Sequence, residues 1–208
     1  AKKFKKFPFF NTPMVFANTL SNELPVFFLA TYFSSETLGY FLLANRLIVI
    51  PMNLIGTSIN KVYFQKASET FNTNKKNLFA LYVNTTKKLI LLGMPPLFVF
   101  YFSSDFIVDL IFGDKWVVTG QMMKIIAITA FFKFITSPIG TSFTIINKQD
   151  IAFYLTFLSL VLRFFIMLNF HHSISSLFWA FTISSAIYYI VYHIFVFRLL
   201  SEIAKDNE

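Results

Sequence analysis

The chain has 208 residues, of which 56% are hydrophobic, 13% are charged and 30 are phenylalanine, and its mean hydropathy is +0.63. Soluble domains are about a quarter charged, so a soluble globular protein is excluded, and so is a disordered chain, which needs low hydrophobicity and dense charge. There is no cysteine, hence no disulfide, thiol nucleophile or thiolate metal site, and the net charge of +8 sits in short clusters between apolar runs, as in loops flanking membrane spans, not on the single basic face that nucleic-acid binding requires.

A bilayer crossing takes about 20 apolar residues of helix, and six runs reach that length, near 12–33, 38–64, 78–102, 118–146, 150–170 and 174–200. The predicted fold is all-α: a polytopic helical membrane protein with six transmembrane helices. The chain opens Ala1-Lys2-Lys3-Phe4-Lys5-Lys6 and enters the first run without a small-residue cleavage site, the pattern of a span and not of a signal peptide. Its first residue is not Met, so a longer parent chain is expected.

Loop charge predicts the orientation. With the N-terminus inside, the cytoplasmic segments collect Lys2, Lys3, Lys5, Lys6, Lys66, Lys75, Lys76, Lys87, Lys88, Lys148, Arg198 and Lys205. The opposite segments, Ser34-Ser35-Glu36, Ser103 to Lys115 and Asn169 to Ser173, hold one basic residue, Lys115. Both termini are therefore expected in the cytoplasm. The 103–115 segment is expected to form a short helix of its own, capped by Ser103 or Ser104, with apolar pairs Phe106/Leu110 and Ile107/Ile111, ended by Gly113 and anchored at the interface by Trp116. It reads either as a gate element or as a connector lying on the head groups.

Polar residues within spans mark interior surfaces, because facing lipid is costly. The first span carries Asn11, Asn18, Asn22 and Pro25; the second repeats the spacing with Arg46, Asn53, Thr57 and Asn60. The fourth has Thr129, Lys133, Thr136, Gly140 and Thr144, the fifth Thr156, Ser159 and Arg163, and the sixth Thr182, Ser185, Tyr189 and Tyr192. Small polar residues also serve simply to join neighbouring helices. Arg46, Lys133 and Arg163 are harder to absorb, since a basic group deep in a span costs about 3 kcal/mol on insertion scales. Glu23 is the one acidic residue deep in a span, so at most one of the three cations finds a carboxylate there. A basic, hydrated cavity accounts for them, and such a cavity suits a phosphate-bearing lipid or another anion. Snorkelling or cation–π contacts are the structural alternative for Lys133 and Arg163. Glu23 reads either as a carrier of a coupling cation or as a structural ion-pair partner.

Catalytic patterns are missing: no HExxH, GxSxG, GxGxxG or P-loop spacing occurs. The adjacent His171 and His172 fall in a turn without a second ligand cluster, and His193 beside aromatics reads as a hydrogen-bonded packing residue.

Several segments carry a resemblance. Lys5-Lys6-Phe7-Pro8-Phe9-Phe10-Asn11-Thr12-Pro13, Asn18-Thr19-Leu20-Ser21 and Leu24-Pro25-Val26 resemble the opening of the C-terminal half of polysaccharide and O-antigen flippases of the multidrug/oligosaccharidyl-lipid/polysaccharide exporter superfamily. Leu38 to Arg46, Ile50 to Gly56, Val62 to Glu69, Phe112 to Trp116, Thr136 to Gly140 and Asn147 to Gln149 continue it, so that it covers roughly residues 5–150, and the last two spans are generic. The resemblance implies one six-helix lobe of a two-lobed, alternating-access transporter, with residues 1–208 as the C-terminal transmembrane lobe and the N-terminal lobe as its missing partner. It implies a non-enzymatic translocase in the bacterial cytoplasmic membrane, moving undecaprenyl-diphosphate-linked oligosaccharide for capsule, O-antigen or exopolysaccharide biosynthesis. No cofactor is implied, and Na+ or H+ would be the coupling ion. Membrane lipid is an expected partner and nucleic acid is not. On this reading Arg46, Lys133 and Arg163 bind the diphosphate, Asn18, Asn22 and Asn53 the sugars, and Glu23 the coupling cation. A cation-coupled drug exporter of the same superfamily and a membrane polymerase or ligase of polyprenyl-linked sugars stand as alternatives; the first suits an acidic cavity better, the second a larger outer loop.

The orientation is testable by single cysteines in the full-length protein. Impermeant reagent should label Ser35→Cys and Ser173→Cys from outside but not Asn74→Cys; labelling of Asn74→Cys from outside would invert the topology.

Overall fold

A computed structural model describes residues 6–205; Lys2, Lys3 and Lys5 lie outside the described residues. The described chain forms seven α-helices: α1 (Lys6–Tyr32), α2 (Ser35–Thr73), α3 (Lys75–Phe112), α4 (Val117–Ile139), α5 (Ser142–Ile145), α6 (Gln149–Asn169) and α7 (Ile174–Lys205). A single 3-10 turn at Asp114–Trp116 precedes α4.

Helix ends follow local chemistry. Ser34 caps α2, its side chain accepting from the Thr37 N–H at 3.2 Å, and Glu36 in the first turn complements the positive end of the helix dipole. Asn74 alone joins α2 to α3, ending one helix and capping the next by accepting from the Lys76 N–H at 3.1 Å. Gly113, at φ 81°, adopts the left-handed conformation that stops α3.

Five helical segments are long and apolar enough to cross a membrane: α2, α3, the Asp114–Ile145 unit, α6 and α7. The expected count of six is thus reduced to five. The first expected span, near 12–33, is the 27-residue α1, which is long enough but diluted by its asparagines, Glu23 and prolines. Outward-facing apolar side chains are large and numerous, among them Leu91, Phe102, Phe106 and Leu110, each at least two-thirds exposed. Surfaces of this kind belong to lipid and not to water.

Two further expectations are corrected. Residues 103–112 form no separate capped helix; they continue α3, because Ser104 is buried and donates to the Gly120 carbonyl at 2.9 Å instead of capping. Its buried neighbour along the helix is Val108, while Phe106, Leu110 and Ile111 face outward. The fourth span is interrupted after Ile139, where Pro138 and Gly140 precede the short α5.

α4 lies at the centre of the bundle, packed against α2, α3 and α7, while α1 packs on α6 and α6 on α7. Close approach is built into glycines: Gly93 of α3 faces Phe131 and Phe134, and Gly120 of α4 faces the Asp105 backbone. Asp105 also forms an ion pair with Lys124, linking α3 to α4. Polar crosslinks complete the assembly, including Thr129 to Thr182 at 2.9 Å and the Tyr82 hydroxyl to His193 Nδ1 at 2.9 Å. The latter gives His193 its packing role.

A Cβ at Gly120 would lie 2.8 Å from the Asp105 Cα. Gly120→Ala should therefore cost about 1–3 kcal/mol by overpacking, read as a lowered melting temperature, whereas Gly39→Ala, with nothing within 4 Å of its Cβ, should cause no loss. Equal melting temperatures for the two variants would refute the close approach of α3 to α4.

Candidate functional site

A cavity of about 350 Å³ opens between α1, α4, α6 and α7, with Phe64 of α2 at its edge. Asn11 and Asn18 reach it from α1, Lys133 and Thr136 from α4, Gly140 from the turn after α4, Thr144 from α5, Thr156 from α6, and Tyr188, Tyr189 and Tyr192 from α7. Among the described residues Lys133 is its one charged lining residue. A second, much smaller space of about 30 Å³ on the other side of Lys133 is lined by Asn53 and Thr57 of α2.

The cavity wall is held by hydrogen bonds that also resolve the break between α4 and α5. Pro138 has no N–H to give to the preceding turn, and the irregular segment after it draws partners from neighbouring helices. Asn60 Nδ2 donates to the Pro138 carbonyl at 2.9 Å, the Tyr192 hydroxyl donates to the Gly140 carbonyl at 3.1 Å, and Tyr63 and Ser142 share a hydrogen bond at 2.6 Å. Tyr188 is bonded to Thr156 at 3.0 Å. The aromatic wall is therefore fixed in place, and the Lys133 ammonium faces it without a carboxylate within 4 Å, since Lys124–Asp105 is the one ion pair among the described residues.

The expected site residues divide. Lys133 and Asn18 line the main cavity, and Asn53 lines the smaller one. Asn22 turns back on its own helix, donating to the Asn18 carbonyl at 2.7 Å. Arg46 is exposed on α2 and lines neither space. Glu23 borders an apolar groove of about 660 Å³ between α1 and α6. Arg163 is only 3% exposed and sits behind the cavity wall, its guanidinium 5.0 Å from the Phe181 ring centroid and 5.9 Å from that of Tyr188. Among the stripes, Thr129 is withdrawn by its bond to Thr182, and Ser185 by its bond to the Phe181 carbonyl. Tyr188, Ser137 and Thr141 join the lining without having been singled out in the sequence; Tyr188 was signalled only by its position beside Tyr189.

Arg163 has a definite structural partner. Pro25 lacks the N–H that would bond the carbonyl four residues earlier, which is that of Ser21. Arg163 Nη1 supplies the missing donor, bonding the Ser21 carbonyl at 3.3 Å and the Ser21 hydroxyl as well. Its Nε and Nη2 have no hydrogen-bond partner. Arg163 thus combines the cation–π contacts expected of it with a clamp across the α1 proline.

No group of three His, Asp or Glu side chains able to hold a metal occurs among the described residues. His171 bonds the Leu168 carbonyl at 2.6 Å and packs on Tyr32, ring centroids 4.2 Å apart.

The clamp predicts an energetic coupling. Pro25→Ala restores an N–H to Ser21, so Arg163→Leu should be less damaging in that background, by about 1 kcal/mol in a double-mutant cycle of thermal stability. Additive effects would contradict the clamp.

Residues 2–121 match the family described as "Polysaccharide biosynthesis protein". Over 156 residues the chain is also 26% identical to the teichuronic acid biosynthesis protein TuaB of Bacillus subtilis (strain 168), covering 74% of this chain and 32% of that protein. The chain therefore spans about a third of the length of that curated relative. No solved structure matches it. The family match ends early in α4, short of the 136–149 segments that also carried the sequence resemblance. More than half of the chain is matched, and the chain belongs to the polysaccharide biosynthesis protein family, as the flippase-like motifs of its sequence implied.

Proposed function

We propose that this chain is one lobe of a translocase that moves a polyprenyl-diphosphate-linked oligosaccharide across the cytoplasmic membrane by alternating access, in a pathway of cell-surface polysaccharide synthesis. The observation that carries the reading is a cavity between apolar helices in which Lys133 is the one cation among the described residues, set among asparagine, threonine and tyrosine side chains. An ammonium in a low-dielectric space attracts phosphate oxygens strongly. The surrounding amides, hydroxyls and aromatic rings offer the hydrogen bonds and stacking faces that sugars use. The lipid tail stays in the bilayer, so only the polar head needs the cavity.

Family membership and the teichuronic acid relative support this reading, and so does α1, treated as the sixth membrane helix: its polar face lines the cavity through Asn11 and Asn18. In the two-lobed arrangement the N-terminal lobe closes the cavity from the open side. Arg46, exposed on α2, then acts from the surface between the lobes, and Glu23 of α1 would carry the coupling Na+ or H+. Arg163 acts by positioning α1 and the Tyr188 wall, and the protein performs no covalent chemistry.

The test uses full-length protein in proteoliposomes with a fluorescent polyprenyl-diphosphate oligosaccharide, scored by accessibility to a quencher. Lys133→Gln should slow translocation roughly tenfold to a hundredfold, the worth of a charge-assisted hydrogen bond of about 1.5–3 kcal/mol, and Lys133→Arg should retain most of it. Unchanged translocation by Lys133→Gln would sink the assignment.

A further inference from the structure

Outside the central cavity, a second pocket of about 210 Å³ lies between α2 and α3. Its lining is mostly apolar, with Ile59, Val62, Leu89 and Leu92 among it, and includes two lysines, Lys66 of α2 and Lys88 of α3. Both lysines are exposed, and neither has an ion-pair partner among the described residues.

The position of the pocket along the helices is informative. α2 has 39 residues and α3 has 38, so each is about 57 Å long at 1.5 Å per residue, well beyond the roughly 30 Å hydrocarbon thickness. On α2 the apolar stretch gives way to polar sequence after Phe64, and on α3 the longest uninterrupted apolar stretch begins at Leu89, directly after Lys87 and Lys88. The pocket straddles both transitions: Ile59, Val62, Leu89 and Leu92 lie on the apolar side of the two lysines, and Leu81 and Thr85 on the other side of Lys88. Charge points the same way. Between residues 37 and 104 there is one acidic residue, Glu69, against Arg46 and six lysines, and neither Lys66 nor Lys88 has a carboxylate within 4 Å among the described residues.

We infer that this pocket is a binding site for an anionic phospholipid of the leaflet on the lysine-rich side, its phosphate held between Lys66 and Lys88 and the start of an acyl chain lying over Ile59, Val62, Leu89 and Leu92. Paired ammonium groups above an apolar cleft match a head group that carries net negative charge, whereas a zwitterionic head group brings its own cation into the same space. Independent snorkelling would leave two lysines directed separately into water; here both border one cleft.

The experiment incubates purified full-length protein with equal amounts of phosphatidylglycerol and phosphatidylcholine and counts retained lipids by native mass spectrometry. The wild type should retain phosphatidylglycerol preferentially. Lys66→Gln/Lys88→Gln should reduce that preference roughly tenfold, and Lys66→Arg/Lys88→Arg should keep it. Lys75→Gln/Lys76→Gln, which removes the same charge from the exposed α2–α3 turn, should also keep it, and millimolar inorganic phosphate should not displace the lipid. Equal losses in the two glutamine variants would reduce the effect to diffuse charge and overturn the site. Displacement by inorganic phosphate alone would make it a free-anion site and overturn the lipid assignment, as would retention of both lipids in equal amounts.

Discussion

Inside a bilayer no water is available to a backbone carbonyl that has lost its helical partner, so a donor from another part of the protein is worth most where a helix is interrupted. Two interruptions of the bundle are answered in this way. Pro25 frees the Ser21 carbonyl, and Arg163 reaches across from α6 to bond it. The break after Pro138 is answered by Asn60 from α2 and by Tyr192 from α7. The same interactions that repair the backbone fix the walls of the central cavity. Tyr192 lines it while bonding Gly140, and Arg163 supports Tyr188 from behind while holding α1. A polar cavity in a membrane helix bundle therefore arises here as a by-product of where the helices are broken.

The cations illustrate how differently one residue type can be used in the same lobe. Lys124 is neutralised locally by Asp105. Arg163 is enclosed by aromatic rings and spends one nitrogen on the Ser21 pair. Lys133 keeps its ammonium free of a close carboxylate and faces the cavity, and Lys66 and Lys88 line a cleft between α2 and α3. Only the last three are disposed to meet an anion from outside the chain.

The helical membrane fold was legible in the sequence because apolar runs of some twenty residues have few other uses. The first expected span is the weakest of the six: α1 has the length, but the polar residues that form its stripe also lower its apolarity below that of the other five. The short outer helix was misread because Ser103 and Ser104 satisfy a capping pattern, yet Ser104 found its partner sixteen residues on, at Gly120. Of the site, the α4 stripe was the most readable part, and Lys133, Thr136, Gly140 and Thr144 do share one cavity. Helical spacing could not show that Thr129 is taken by Thr182, or that Arg163 lies behind the wall, because both depend on which helix packs opposite. The clue to Arg163 was a proline on another helix, four residues after a serine, and no pattern within α6 encodes that.

The account stands or falls on transport of a lipid-linked oligosaccharide, and its most direct test is the leaflet distribution of polyprenyl-linked oligosaccharide in cells depleted of the full-length protein. The account predicts complete units accumulating on the cytoplasmic face. Complete units accumulating on the outer face, as loss of a polymerase or ligase would produce, or an unchanged distribution, would contradict it.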